Sequence, residues 1–215
     1  MAAAPPLRIL LADDHLVVLN GLKALLQRDG FDVVGEAPDG RAAVSLAQTL
    51  QPDIAVLDLA MPLLNGIDAA AEIARTSPKV KTILLTMYSE KPQILAALKA
   101  GVSGYVIKTS GYGEVKRAID NVARGEIYLS GSVSGTVVHA YLSHDAETPD
   151  PLSSREREVL QLIAEGKTMR DIGNLLGISA RTAETHRARI MGKLNIDDVA
   201  GLVRYAIRNR LITME

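Results

Sequence analysis

The chain has 215 residues, 47% of them hydrophobic, no cysteine and a formal net charge of −1, which excludes wholesale disorder, a disulfide framework and any thiolate metal site. No apolar run approaches the roughly 20 residues of a membrane span, and residues 1–6 lack the basic and apolar segments of a signal peptide, so a reducing cytoplasm is the expected location. Charge is uneven: residues 1–124 carry 13 Lys/Arg against 13 Asp/Glu, residues 125–151 none against 4, and residues 152–215 carry 11 against 8, which predicts two modules with different partners.

From the N-terminus, apolar runs predict strands at 8–12, 32–37, 54–58, 82–86 and 104–107. The stretches between them have helical spacing. Val17, Leu22, Leu25 and Leu26 are expected to share one face, and Ile94, Leu95, Leu98 and Val102 another. Strands alternating with helices predict an α/β module with a parallel sheet and helices on both faces. The Leu-rich, β-branched composition of the runs is that of strands buried on both faces.

The unusual residues sit at the strand ends. Asp13 and Asp14 follow the first run, Asp58 ends the third, Thr86 the fourth, and Lys108 follows the fifth. In such a sheet, ligands bind beyond the carboxyl ends of the strands. Carboxylates brought together repel one another, and a hard cation such as Mg²⁺, which takes oxygen ligands, relieves this. Asp14, Asp58 and one backbone carbonyl suffice as ligands, with Asp13 in a supporting or ligand role. An ionised Asp can attack phosphorus to form an aspartyl phosphate, while a metal and a Lys neutralise the phosphoryl oxygens. Singly, each residue has a plainer reading, Asp13-Asp14 as a helix cap and Asp58 as a turn residue. Their joint occurrence on separate strands favours the phosphoryl site.

Residues 8–124 resemble the receiver domain of two-component response regulators. The resemblance rests on LLADDH (10–15), VLDLAMPLLNG (56–66), ILLTMYSE (83–90) and GYVIKTS (104–110). It implies a flavodoxin-like, doubly wound sheet of five parallel strands in the order 2-1-3-4-5. It further implies Asp58 as phosphoacceptor, and Mg²⁺ held by Asp13, Asp14, Asp58 and the Ala60 backbone carbonyl. Thr86, Tyr105 and Lys108 become the switch and phosphoryl-stabilising residues. Thr109 follows Lys108 where many receivers have Pro. An aspartyl-phosphate hydrolase would need a second acid at the position of Ala60. A dinucleotide-binding enzyme would need a glycine-rich turn in place of Ala12-Asp13-Asp14-His15. A receiver that docks without being phosphorylated would not need the full acidic and switch set.

Residues 125–151 lose the pattern. The small residues 130–135 predict flexibility, 137–142 a short helix, and the acidic, Pro-bounded segment 144–151 a tether. From residue 152 every signal is helical. Ser153 and Glu156 form a capping box for a helix reaching Gly166. A short helix covers 168–176, Gly177 stops it, Ser179 caps a helix over 180–194, and a last one covers 199–209. A tight glycine turn between two helices predicts a helix-turn-helix. The helix at 180–194 carries Arg181, Arg187, Arg189 and Lys193 against Glu184, with Ala183, Ile190 and Leu194 expected inward. Its outward face of basic groups with Thr182, Thr185 and His186 suits phosphates and base edges. A solvated basic face is the plainer reading, and the turn signature favours DNA.

Residues 152–196 are similar to the LuxR/FixJ-type helix-turn-helix of NarL-type regulators. The resemblance implies base contacts from Glu184, Thr185 and Ala188, and phosphate contacts from Thr182, Arg187, Arg189 and Lys193. Gly173 and Ala183 stand where that family usually has Ala and Val. A helical Gly costs about 1 kcal/mol, so a slightly softened module is expected.

The expected whole is a receiver over 1–124, a linker over 125–151 and a small all-α DNA-binding domain over 152–215. It is a phosphorylation-controlled transcriptional regulator of a two-component system, with no enzymatic role beyond Mg²⁺-dependent gain and loss of its own phosphoryl group. The implied partners are a histidine kinase and double-stranded DNA with inverted half-sites, bound as a homodimer; no membrane partner is expected.

Overall fold

Each apolar run that ends in a polar residue becomes a strand whose tip carries that residue. The computed structural model describes residues 5–142 and 150–212. Its first part runs β1 (Arg8–Ala12), α1 (Leu16–Arg28), β2 (Asp32–Ala37), α2 (Gly40–Leu50), β3 (Ile54–Asp58), α3 (Gly66–Thr76), β4 (Lys81–Thr86), α4 (Lys91–Lys99) and β5 (Gly104–Ile107). One 3-10 turn (Lys108–Ser110), α5 (Tyr112–Ala123), β6 (Tyr128–Leu129) and α6 (Gly131–Leu142) complete it. The second part is α7 (Ser154–Ala164), α8 (Met169–Leu176), α9 (Ala180–Leu194) and α10 (Val199–Arg208). The chain divides into two compact units, one built on β1 to α6 and the other on α7 to α10.

The sheet is parallel throughout, in the order β2-β1-β3-β4-β5-β6. All of β3 is buried, as a strand covered on both faces must be. Ile9, Leu11, Ile54, Val56, Ile83 and Leu85 pack on one side against Leu19 and Leu26 of α1 and Val115 and Ile119 of α5. The register pairs Ala12 with Leu57, Asp58 with Leu85, and Thr86 with Ile107. Strand tips in register bring residues distant in sequence to one rim.

Three sequence expectations are corrected. The sheet has six strands, not five: Tyr128 and Leu129 pair with Gly104 and Tyr105. A two-residue strand is too short to register as a periodic signal. Residues 130–135, expected to be flexible, supply the start of α6, because Val133 is fully buried and α6 packs on α4. Val17, expected on the packed face of α1, is 86% exposed. Nine residues separate it from buried Leu26, about two and a half helical turns, so the two point to opposite sides.

In the second unit, capping boxes open α7 (Ser153 with Glu156) and α8 (Thr168 with Asp171), and Ser179 and Asp198 cap α9 and α10. Gly177 ends α8 in the left-handed conformation at φ 64°, which favours glycine. Val159, Leu160, Ile172, Ala183, Ile190 and Leu202 fill the core. Gly173 proves to be a packing requirement rather than a soft spot. A Cβ there would lie 2.8 Å from the Ile178 carbonyl oxygen, and the Ile178 N–H donates to the Gly173 carbonyl at 2.9 Å. No helix among the described residues is long and apolar enough to cross a membrane.

Candidate functional site

Lys108, delivered by the end of β5, reaches back across the sheet to the tips of β1 and β3. Its Nζ lies 2.6 Å from Asp13 Oδ2 and 2.9 Å from Asp58 Oδ1. Asp13 and Asp58 are 3% and 6% exposed. Asp58 Oδ2 accepts a hydrogen bond from the Ala60 N–H at 3.1 Å. Burial pushes the Asp58 carboxyl above its usual range, and the Lys108 ammonium beside it offsets part of that rise. Burial pushes the Lys108 ammonium down, yet the charges of Asp58 and Asp13 outweigh it and leave its pKa raised. The cation thus stays charged between two carboxylates that would otherwise repel.

Asp14 stands half-buried at the same rim. His15 Nδ1 lies 2.8 Å from Asp14 Oδ1 and 3.1 Å from Asp13 Oδ1, and the Asp14 carboxylate is the main cause of its raised pKa. Of the two contacts, the one to Asp13 has hydrogen-bond geometry and the one to Asp14 does not. Asp14 Oδ1 is buried and accepts no hydrogen bond. An unsatisfied carboxylate oxygen among hard oxygen donors fits Mg²⁺. Asp13, Asp14 and His15 form a cluster whose ligand atoms lie within 4.8 Å of one another.

Thr86, fully buried at the tip of β4, accepts at Oγ1 from the Tyr88 N–H at 3.2 Å. Tyr105 is also fully buried, and its hydroxyl donates to the Tyr88 carbonyl at 2.9 Å. Desolvation raises its pKa, so it stays a neutral donor. Both switch candidates therefore fasten to one residue, Tyr88. Gly66 opens α3 directly behind Asp58, where a Cβ would fall 2.1 Å from the Asp58 carbonyl oxygen. Asp13, Asp14, Asp58, Ala60, Thr86 and Lys108 thus gather on one rim or on the segments leaving it, while Tyr105, the second residue of β5, lies inside the sheet and is linked to Thr86 through Tyr88.

The second candidate surface is α9. Thr182, Glu184, Thr185, Ala188 and Arg189 are exposed and Arg187 is half-exposed, while Ala183 and Ile190 are fully buried. Leu194, expected inward, is half-buried. Thr182 N–H donates to the Ser179 cap at 3.0 Å, and Thr185 Oγ1 donates to the Arg181 carbonyl at 3.0 Å. Arg187 pairs with Glu184 at 2.8 Å. His186, expected to face outward, is half-buried with its Nδ1 enclosed and without a hydrogen-bond partner. Lys193 is exposed, and its Nζ lies 2.7 Å from Glu156 Oε2.

Residues 9–120 match the response regulator receiver domain, and residues 150–206 match the bacterial regulatory proteins of the luxR family. The transcriptional regulatory protein LiaR of Bacillus subtilis is 39% identical over 210 residues, covering 96% of this chain and 99% of LiaR. The transcriptional regulatory protein MctR of Rhizobium johnstonii is 35% identical over 214 residues, covering 99% of each. The chain is a response regulator with a receiver domain and a LuxR-type DNA-binding domain. Among solved structures of such regulators, Salmonella typhimurium RcsB is similar with a TM-score of 0.66 at 27% identity, over 98% of this chain and 100% of RcsB. A structure of two RcsB dimers bound to two parallel DNAs is similar with a TM-score of 0.60, also at 27% identity, over 97% of this chain and 100% of that one.

Within this response regulator, the sequence marked Gly66 only as a turn, gave His15 no role and left the Glu156–Lys193 pair unseen. His15 was signalled by its adjacency to the acidic pair. Gly66 was signalled by its place at the start of a helix, and the pair by nothing local, since 37 positions separate its members.

Proposed function

We propose that Asp58 accepts a phosphoryl group from a histidine kinase, and that the phosphorylated chain binds inverted DNA half-sites as a homodimer. The observation that carries the reading is Lys108 held between Asp13 and Asp58, a cation joining three strand ends at the rim that also carries Thr86. An Asp58 oxygen attacks the phosphorus of a phosphohistidine. The P–O bond forms as the P–N bond breaks, and the imidazole leaves with the electron pair and takes a proton from solvent. Asp13, Asp14, Asp58 and the Ala60 carbonyl would hold Mg²⁺, which supplies positive charge against the carboxylates and the incoming oxygens. Lys108 turns its ammonium from the carboxylates to a phosphoryl oxygen. Thr86 moves to give its hydroxyl to another, and that movement draws its Oγ1 from the Tyr88 N–H and so changes the anchor that Tyr105 shares.

On the output side, α9 enters the major groove. Glu184, Thr185 and Ala188 face base edges, and Thr182, Arg187 and Arg189 face phosphates. The DNA-bound RcsB dimers support a dimeric complex here. Gain and loss of the phosphoryl group is the chain's only chemistry in this scheme, and its place is the cytoplasm, where DNA and kinase meet.

The test is incubation of the full chain with a radiolabelled small-molecule phosphodonor, with and without Mg²⁺, beside Asp58→Asn. Label is expected only on the native chain with Mg²⁺. Equal labelling of Asp58→Asn overturns the assignment.

A further inference from the structure

The first turn of α7 grips the C-terminal ends of both helices of the helix-turn-helix. Arg155 Nη2 donates to the carbonyl of Leu176, the last residue of α8, at 2.7 Å, while Nη1 contacts Glu158 at 2.6 Å. One residue on, Glu156 Oε2 accepts from the Ser153 N–H at 2.8 Å, from Ser153 Oγ at 3.0 Å and from Lys193 Nζ at 2.7 Å. Lys193 lies in the last turn of α9. The pair therefore joins an acid at a helix N-terminus to a base at a helix C-terminus, the polarity both helix dipoles favour. The Glu156 side chain is 8% exposed and that of Lys193 44%.

We propose that Glu156 and Lys193 are positioning residues for DNA binding: their ion pair fastens the last turn of α9 to the first turn of α7, and Lys193 serves recognition by holding α9 rather than by touching a phosphate. The proposal rests on the reading of α9 as the DNA-contacting helix. A Lys193 that left for a phosphate would take from Glu156 the cation beside it and leave that carboxylate only its Ser153 donors. Arg189, by contrast, is exposed and has no ion-pair partner among the described residues, so it can meet a phosphate at no such cost.

The two roles predict opposite signs. If Glu156 merely sequesters a phosphate-binding lysine, Glu156→Gln frees that lysine, removes a negative charge and tightens DNA binding. If the pair positions α9, the same change weakens it. The experiment uses the full chain and a duplex selected from random sequence with the native protein, with affinity measured across a salt series. Glu156→Gln and Lys193→Met are each expected to weaken binding about tenfold, or about 1.4 kcal/mol, the double variant no further, and Lys193→Arg is expected to retain it. Lys193→Met should leave the salt slope unchanged, whereas Arg189→Gln should lower it by about 1. Glu156→Gln still offers a carbonyl to Ser153, so α7 keeps its cap in that variant.

A second arm needs no DNA. Amides in the last turns of α9 should exchange with solvent faster in both variants than in the native chain. Tighter binding by Glu156→Gln, a slope loss in Lys193→Met equal to that of Arg189→Gln, or unchanged exchange overturns the proposal. Failure of the native chain to select any duplex would sink the DNA reading instead, and the exchange arm would still decide whether the pair holds α9.

Discussion

The strand-tip site and the face of α9 hold their charges in opposite ways. Asp13, Asp58 and Lys108 come from the ends of three strands, the two acids buried and the lysine half-buried, and satisfy one another. Thr182, Glu184, Thr185, Ala188 and Arg189 lie within one helix and stand in solvent. At the first site the sheet register sets the geometry, and each group is costly to leave alone. At the second, a cap, a turn and an end brace set the direction of a helix whose outward groups are individually dispensable to the fold. A buried polar site therefore concentrates sensitivity in a few residues, and an exposed one spreads it.

Removing the shared cation should break this contrast most sharply. Lys108→Met is expected to slow labelling by a phosphodonor about 100-fold, while the unphosphorylated chain keeps its affinity for DNA. Labelling at the native rate would show that the strand-tip cation is idle.

Two glycines provide the next contrast. Gly66 has the Asp58 carbonyl where its Cβ would be, whereas Gly192 on α9 has nothing within 4 Å. Gly66→Ala should cost the receiver about 3 kcal/mol by overpacking, and Gly192→Ala should stabilise the other unit by about 0.5–1 kcal/mol through helix propensity. Urea unfolding that follows each unit separately would check both signs.

The smallest effect is in pH dependence, where the units should diverge. Burial raises the Asp58 carboxyl above its ordinary 3.8, so its contribution to stability is complete below that value and is lost as pH rises through the higher folded pKa. The hydrogen bond from Lys193, with those from Ser153, holds Glu156 at about 2 against an ordinary 4.5, so its contribution is present above 4.5 and is lost as pH falls toward 2. In metal-free buffer, acidification should favour the receiver through Asp58 and cost the helical unit on the order of 1–2 kcal/mol through Glu156. Denaturation between pH 2.5 and 5, with Asp58→Asn and Glu156→Gln as comparators, should give slopes of opposite sign.

Much of this was legible in the sequence because the informative contrasts were local. An apolar run that stops at Asp58 or Thr86 marks both a strand and its tip. Ser179, the glycine at 177 and the stretch 180–194 define α9 with its observed ends. What stayed hidden depended on partners far along the chain. Gly, Ser and Thr favour no helix at 131–136, yet α6 forms there because Val133 finds a buried place. Lys193 reads as one more surface cation until Glu156 arrives beside it. At the strand-tip site the residues were legible but the hydrogen-bond chain from Thr86 through Tyr88 to Tyr105 was not, since Tyr88 takes part through its backbone.

The short edge strand carries a practical consequence for dividing this protein. The Ser130 N–H donates to the Tyr105 carbonyl at 3.0 Å, and Tyr128 and Leu129 cover the open side of β5. Cutting after residue 124, where the amphipathic pattern ends, would strip that cover and leave a bare ladder of donors and acceptors ready to pair with another molecule. A fragment meant to stay monodisperse should run on through Leu142.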